Sequence, residues 1–187
     1  MRLETSKILS NYINKQISSK EFQEWVYNDQ NLESELGEKI YLELLSLDLR
    51  NEDSYKNVEQ LLDNCIDYAQ LHKNEIVKLI NQICEKQKSF NDSISELYQW
   101  MNKGYLFLSK IDTIGNFNEQ GKSIIHSIED YMNDEEKWNI LGIREPGFFN
   151  DLIQIKTQIL NNQILITGKY EIIQFYGKQF EYIEKSI

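Results

Sequence analysis

The sequence predicts a mainly α protein, an antiparallel helical bundle with a small C-terminal β-hairpin, and residues 1–187 read as a single domain. Three observations carry that prediction. Apolar residues recur at three- and four-residue intervals along most of the chain, the period of a helix face. The gaps between these stripes are a few residues long, which turns consecutive helices back on one another. The last 25 residues change habit, with the β-branched run Gln163–Gly168 and the polar–apolar alternation Gln179–Glu184. Ala occurs once, at Ala69, so helix propensity is low and packing of apolar stripes has to hold the helices.

Taken in order, Thr5 or Ser6 caps a first helix whose face is Ile8, Leu9, Tyr12, Ile13 and Ile17. Ser18-Ser19-Lys20-Glu21 is a capping box before Phe22, Trp25 and Val26. After the polar turn Asn28–Asn31, a third helix carries Leu36, Ile40, Tyr41, Leu44 and Leu45. Asp53 or Ser54 caps a fourth, with Val58, Leu61, Leu62, Cys65 and Tyr68 in register. Residues 75–102 form one long helix or a helix pair. The stripe falters at Glu85–Lys88, where Ser89 or Asn91 can start a second helix. Tyr105–Leu108 then runs into the loop Gly115–Asn118. Short helices follow at Lys122–Met132 and Glu135–Leu141, then a turn at Pro146, the only proline. Phe149, Leu152, Ile153, Lys156, Ile159 and Leu160 mark one more amphipathic helix, ended by Asn161-Asn162. Residues 163–184 are the hairpin, with its turn between Gly168 and Lys178. The rival there is a terminal helix using Ile172, Ile173, Tyr176, Phe180 and Ile183.

Charge is unevenly distributed. The chain has 30 acids against 20 bases, a net of −10, and a pI near 4.8. Thirteen of the acids and only three bases (Lys39, Arg50, Lys56) lie in the acidic helical segment 21–67, while the rest of the chain is neutral. A concentrated field of one sign accelerates encounter with an oppositely charged protein by ~10–1000-fold. The candidate partner-binding carboxylates are therefore Glu21, Glu24, Glu33, Glu35, Glu38, Asp48 and Asp53. The flanking aromatics Trp25, Tyr27, Tyr41 and Tyr55 join them, because Tyr and Trp are enriched among interface hot spots. The same balance argues against nucleic acid or an anionic membrane as the partner. A solvated surface that only confers solubility is the simpler reading of the charge.

The sequence contains no apolar run near the ~18 residues needed to cross a bilayer, and Met1–Lys7 leads into no signal-peptide core, so a cytoplasmic protein is expected. Cys65 and Cys84 occupy apolar helix positions and read as buried reduced thiols. Gly115–Ser123 matches G-x5-G-K-S, one residue too long for a phosphate-binding loop. His72 and His126, the only histidines, read as surface or helix-end residues rather than general bases. Asp134-Glu135-Glu136 falls at a helix start and complements its dipole. Neither catalysis, a metal nor a cofactor is expected, and a small-molecule ligand is not favoured.

Phe22-Gln23-Glu24-Trp25-Val26-Tyr27, then Leu32-Glu33, Leu36-Gly37, Tyr41 and Leu44-Leu45, resembles the opening of small acidic proteins found beside polymorphic-toxin genes in Gram-positive bacteria. Lys103–Leu108 and Ile166-Thr167-Gly168 are similar to later parts of the same group. The resemblance implies an immunity protein, which neutralises a cognate toxin by binding it. A basic nuclease-type domain fits best, since its substrate requires a cationic cleft. The alternative is a helical adaptor or regulatory protein that binds its partner through apolar grooves.

Overall fold

The computed structural model describes residues 1–51, 54–111, 132–144 and 146–185. It is mainly α with a C-terminal two-stranded antiparallel hairpin, the class that the apolar periodicity predicts. The chain divides into two compact units, Met1–Leu71 and His72–Ile187.

The first unit holds α1 (Leu3–Ile13), α2 (Ser19–Asn28), α3 (Leu32–Leu36), α4 (Glu38–Ser46) and α5 (Ser54–Leu62), followed by a 3-10 turn at Asp63–Cys65. α5 packs against α1 and α4. Leu9, Tyr12, Phe22, Leu32, Leu44, Val58 and Leu62 are buried to 1% exposure or less. Tyr12 organises this core. Its ring stacks on Phe22 at 3.9 Å and on Tyr55 at 4.5 Å. Its hydroxyl meets the buried Ser54 Oγ at 2.9 Å and Ser19 Oγ at 3.2 Å, so the polar end of the ring is satisfied inside.

Three boundaries differ from the sequence expectation. α1 starts at Leu3 behind an extended Arg2, and Thr5 and Ser6 are buried inside the helix instead of capping it. The expected third helix is broken in two at Gly37, whose φ of +81° is a left-handed backbone that costs a side chain heavily and glycine little. Cys65 and Tyr68 leave the fourth stripe, because α5 ends at Leu62 and Tyr68 opens α6. The capping box is present as read: Ser18 Oγ accepts from the Glu21 N–H and Glu21 accepts from the Ser18 N–H. Ser54 is the first residue of α5, and Asp53, the rival cap, lies outside the described residues.

The second unit is built from α6 (Tyr68–Cys84, which crosses the boundary in sequence), α7 (Phe90–Asn102), a 3-10 turn at Leu106–Lys110, α8 (Asp134–Arg144), α9 (Phe148–Leu160) and the hairpin. The central 75–102 stretch is a helix pair. Lys86 turns the chain at φ +53°, and Ser89 caps α7 by accepting from the Asp92 N–H at 3.1 Å. Asp134 ties the start of α8 to that of α7 by accepting from the Phe90 N–H at 3.1 Å. Asn133 and Glu136 form a reciprocal capping box, each backbone N–H bonding the other's side chain at 3.0 Å. The expected helix at Lys122–Met132, the loop Gly115–Asn118 and the Gly115–Ser123 fragment lie outside the described residues up to 131.

Strands β1 (Ile164–Ile173) and β2 (Gly177–Glu184) pair from Ile164 with Glu184 out to Ile173 with Gly177, with an irregularity between Ile166 and Tyr170. The terminal-helix alternative is thereby excluded. The connection is Gln174-Phe175-Tyr176, with Phe175 at φ +75° and Gly177 at φ +72°. Ile164, Ile166 and Phe180 are buried at the base, and β1 packs on α9. At Gly104 the backbone comes so close to the hairpin that a Cβ would lie 2.6 Å from the Phe180 carbonyl oxygen. The Phe180 N–H donates to the Lys103 carbonyl at 2.7 Å, docking β2 there.

Candidate protein-binding surfaces

α2, α3 and α4 bury one apolar side each, Phe22 and Val26, Leu32 and Leu36, and Leu44, and so turn their carboxylates outward. Among the candidate carboxylates, Glu21, Glu24, Glu33, Glu38 and Asp48 are exposed, and Tyr27 is 63% exposed beside them in sequence. Asp53 lies outside the described residues.

Glu35 is the correction. Arg2 binds it twice, through the backbone N–H at 2.9 Å and through Nε. The same guanidinium reaches Asp29 through Nη2 at 2.7 and 2.9 Å. Burial pushes the Glu35 carboxyl up, but the Arg2 N–H and guanidinium together hold it below the usual range. Asp29 behaves alike, with burial opposed by the Asn31 N–H and by Arg2. One base from outside the acidic segment therefore occupies two of its acids, and Glu35 is a structural group rather than a presented one.

Other members are engaged more weakly. Glu21 sits below its ordinary pKa because the Ser18 hydroxyl and N–H both donate to it. Lys20–Glu24 and Lys39–Glu43 approach only to 4.0 Å on exposed helix faces, a geometry that contributes little. Asp48 accepts from the Arg50 N–H. Trp25 and Tyr41 are half-buried, with Trp25 packed on Phe22 at 5.7 Å. Tyr55 is half-buried, stacked on Tyr12 with the Lys15 ammonium 5.4 Å from its ring.

Two features of the second unit escaped the sequence reading. His72 is buried rather than at the surface. Its Nδ1 lies 2.7 Å from the Tyr105 hydroxyl, and Trp100 and Phe180 meet its ring edge-on at 4.9 and 4.4 Å. Burial, assisted by Lys103 and Lys178, lowers its pKa to about 3. Burial likewise pushes Tyr105 well above the ordinary tyrosine range. The two side chains form a hydrogen-bonded pair inside the core, with the imidazole neutral at ordinary pH. His126 lies outside the described residues.

The other feature is the hairpin end. Residues 171–177 are all exposed, with Ile172 at 77%, Phe175 at 94% and Tyr176 at 74%. The signal available in the sequence was Ile172-Ile173-Gln174-Phe175-Tyr176 at a turn with no Asn-Gly or Asp-Gly pair, apolar residues where turns usually place polar ones.

Cys65 and Cys84 are free but half-buried rather than buried, and burial raises both thiol pKa values. No described helix is long and apolar enough to cross a membrane, and the described residues hold no group of three or more His, Cys, Asp or Glu placed to share a metal. No protein-family model, curated protein or solved structure matches this chain.

Proposed function

We propose that this chain is a non-enzymatic immunity protein that neutralises a cognate bacterial toxin, through an acidic helical face that docks on a basic, nuclease-type domain. The observation that carries the reading is the charge of the first unit, where Met1–Leu71 has 14 acids against seven bases. Arg2 withdraws Asp29 and Glu35, yet Glu24, Glu33, Glu38 and Asp48 stay exposed. Tyr27 offers an amphipathic anchor of the kind that dominates protein interfaces.

The test is binding to the product of a neighbouring toxin-like gene across a salt titration, with toxin activity as a second readout. Binding is expected to weaken steeply with salt, and Glu33→Lys with Glu38→Lys to slow association by at least about tenfold. Glu35→Lys is unsuitable for this purpose, since it breaks the Arg2 contacts and perturbs the fold. Equal affinity at low and high salt, or a toxin left fully active in the complex, overturns the proposal.

A further inference from the structure

From the way the hairpin is docked we infer an acid-released latch: the outer part of the hairpin, Tyr170–Phe180, closes on His72 and lifts when that imidazole takes a proton. The pairing of the strands supplies the hinge. Ile164–Ile166 pair with Tyr182–Glu184, and Tyr170–Ile173 pair with Gly177–Phe180. Between these ladders Thr167, Gly168 and Lys169 stand opposite the single residue Glu181, with Gly168 at φ +74°. A bulge of this kind bends its strand and divides the ribbon into two segments. The inner segment is fixed by the buried Ile164 and Ile166, by the packing of β1 on α9 and by the Lys110–Glu184 ion pair.

The outer segment docks around His72. The Phe180 N–H donates to the Lys103 carbonyl at 2.7 Å, and Gln179 Nε2 to the Asn102 carbonyl at 2.7 Å. The Phe180 ring meets the imidazole edge-on at 4.4 Å, closer than Trp100 at 4.9 Å or Tyr105 at 5.7 Å. His72 is 4% exposed, and its Nδ1 is bonded to the Tyr105 hydroxyl. A proton added there creates a charge out of water and faces two cations, Lys103 on the turn before Tyr105 and Lys178 on β2. Glu75, on the same helix as His72, acts on Lys103, and Tyr170 on β1 lies 4.9 Å from the Lys178 ammonium. Phe180 and Lys178 both ride on the outer segment. Lifting it therefore wets the imidazole and removes one opposing cation in the same movement, so proton uptake and opening favour each other. Closed, the imidazole stays neutral down to about pH 3; open, it titrates near 6.5. The open-to-closed ratio thus rises about tenfold for each pH unit below 6.5 and levels off near pH 3.

The latch lies in the second unit and is independent of the acidic face. Native-state hydrogen exchange of the full chain reads it at the Phe180 amide, which the Lys103 carbonyl holds. Corrected for intrinsic exchange, the protection of that amide should fall roughly 25-fold between pH 7 and pH 5. Its opening should also cost less free energy than that of the amide of Ile80, buried in α6. His72→Gln, which can still bond the Tyr105 hydroxyl but cannot titrate, should abolish the fall. In the unaltered chain, nitrogen-15 shifts of the His72 imidazole should remain those of the neutral ring at pH 5. Equal protection of the Phe180 amide at pH 7 and pH 5 overturns the inference, as does exchange only together with the Ile80 amide, when the whole unit opens. A His72 ring that titrates near pH 6.5 in the folded chain overturns it without any variant, and so does a His72→Gln chain that keeps the full fall.

Discussion

At the scale of single residues, the informative positions are those where a side chain is held against its ordinary preference. His72 has a folded pKa of about 3 against 6.5 in the unfolded chain. The unfolded state therefore binds the extra proton first, and stability falls as pH drops below about 6.5. Between pH 6.5 and 5 the second unit should lose roughly 2 kcal/mol, read by urea unfolding with the fluorescence of Trp100, which touches the His72 ring. A His72→Gln variant should flatten that slope. Asp29 and Glu35 act lower: their depressed pKa values contribute stability above the usual carboxylate range, which is lost as pH falls through their folded values. The two windows separate the units by pH. Gly104→Ala should cost about 2–4 kcal/mol, because φ +104° and the Phe180 backbone both refuse a Cβ.

At the scale of elements, the cap at Ser18 and the finger at Phe175 make opposite forecasts. Ser18→Ala removes the acceptor for the Glu21 N–H and should destabilise the first unit by about 1 kcal/mol in thermal melts. Phe175→Asn replaces an aromatic at φ +75° with a residue that tolerates that backbone, and should stabilise the hairpin by several tenths of a kcal/mol. Elements were legible where local chemistry decides them. The Ser18–Glu21 box, the break before Ser89, the Asn161-Asn162 stop and the alternation of 179–184 all state their structure within a few residues. Tertiary demands hid the rest. Thr5 and Ser6 look like caps in isolation, and only the packing of α1 shows that they face inward. The third stripe, Leu36 to Leu45, gives no sign of the left-handed turn at Gly37 that splits it into α3 and α4.

At the scale of the molecule, charge was legible and its use was not. Counting assigns −10 to residues 21–67, but Arg2, nineteen positions upstream, occupies two of those acids. No spacing rule reaches across such a gap, so Glu35 read as available. His72 was misread for the same reason: Tyr105 and Phe180, which bury it, are 33 and 108 residues away. Raising salt at pH 7 should stabilise the first unit by screening the repulsion among its remaining carboxylates, measured as a rise in melting temperature monitored at Trp25.

The bare finger also makes the chain vulnerable in a specific place. An endoprotease that cuts after aromatic residues meets Phe175 and Tyr176 on a three-residue loop with solvent on every side, whereas Phe107, Phe148 and Tyr105 are shielded. A first nick there severs the covalent link between β1 and β2. The rungs from Ile164 to Ile166 and the clasp of Phe180 on Lys103 remain on either side of the cut. The two fragments should consequently co-elute until denaturant parts them.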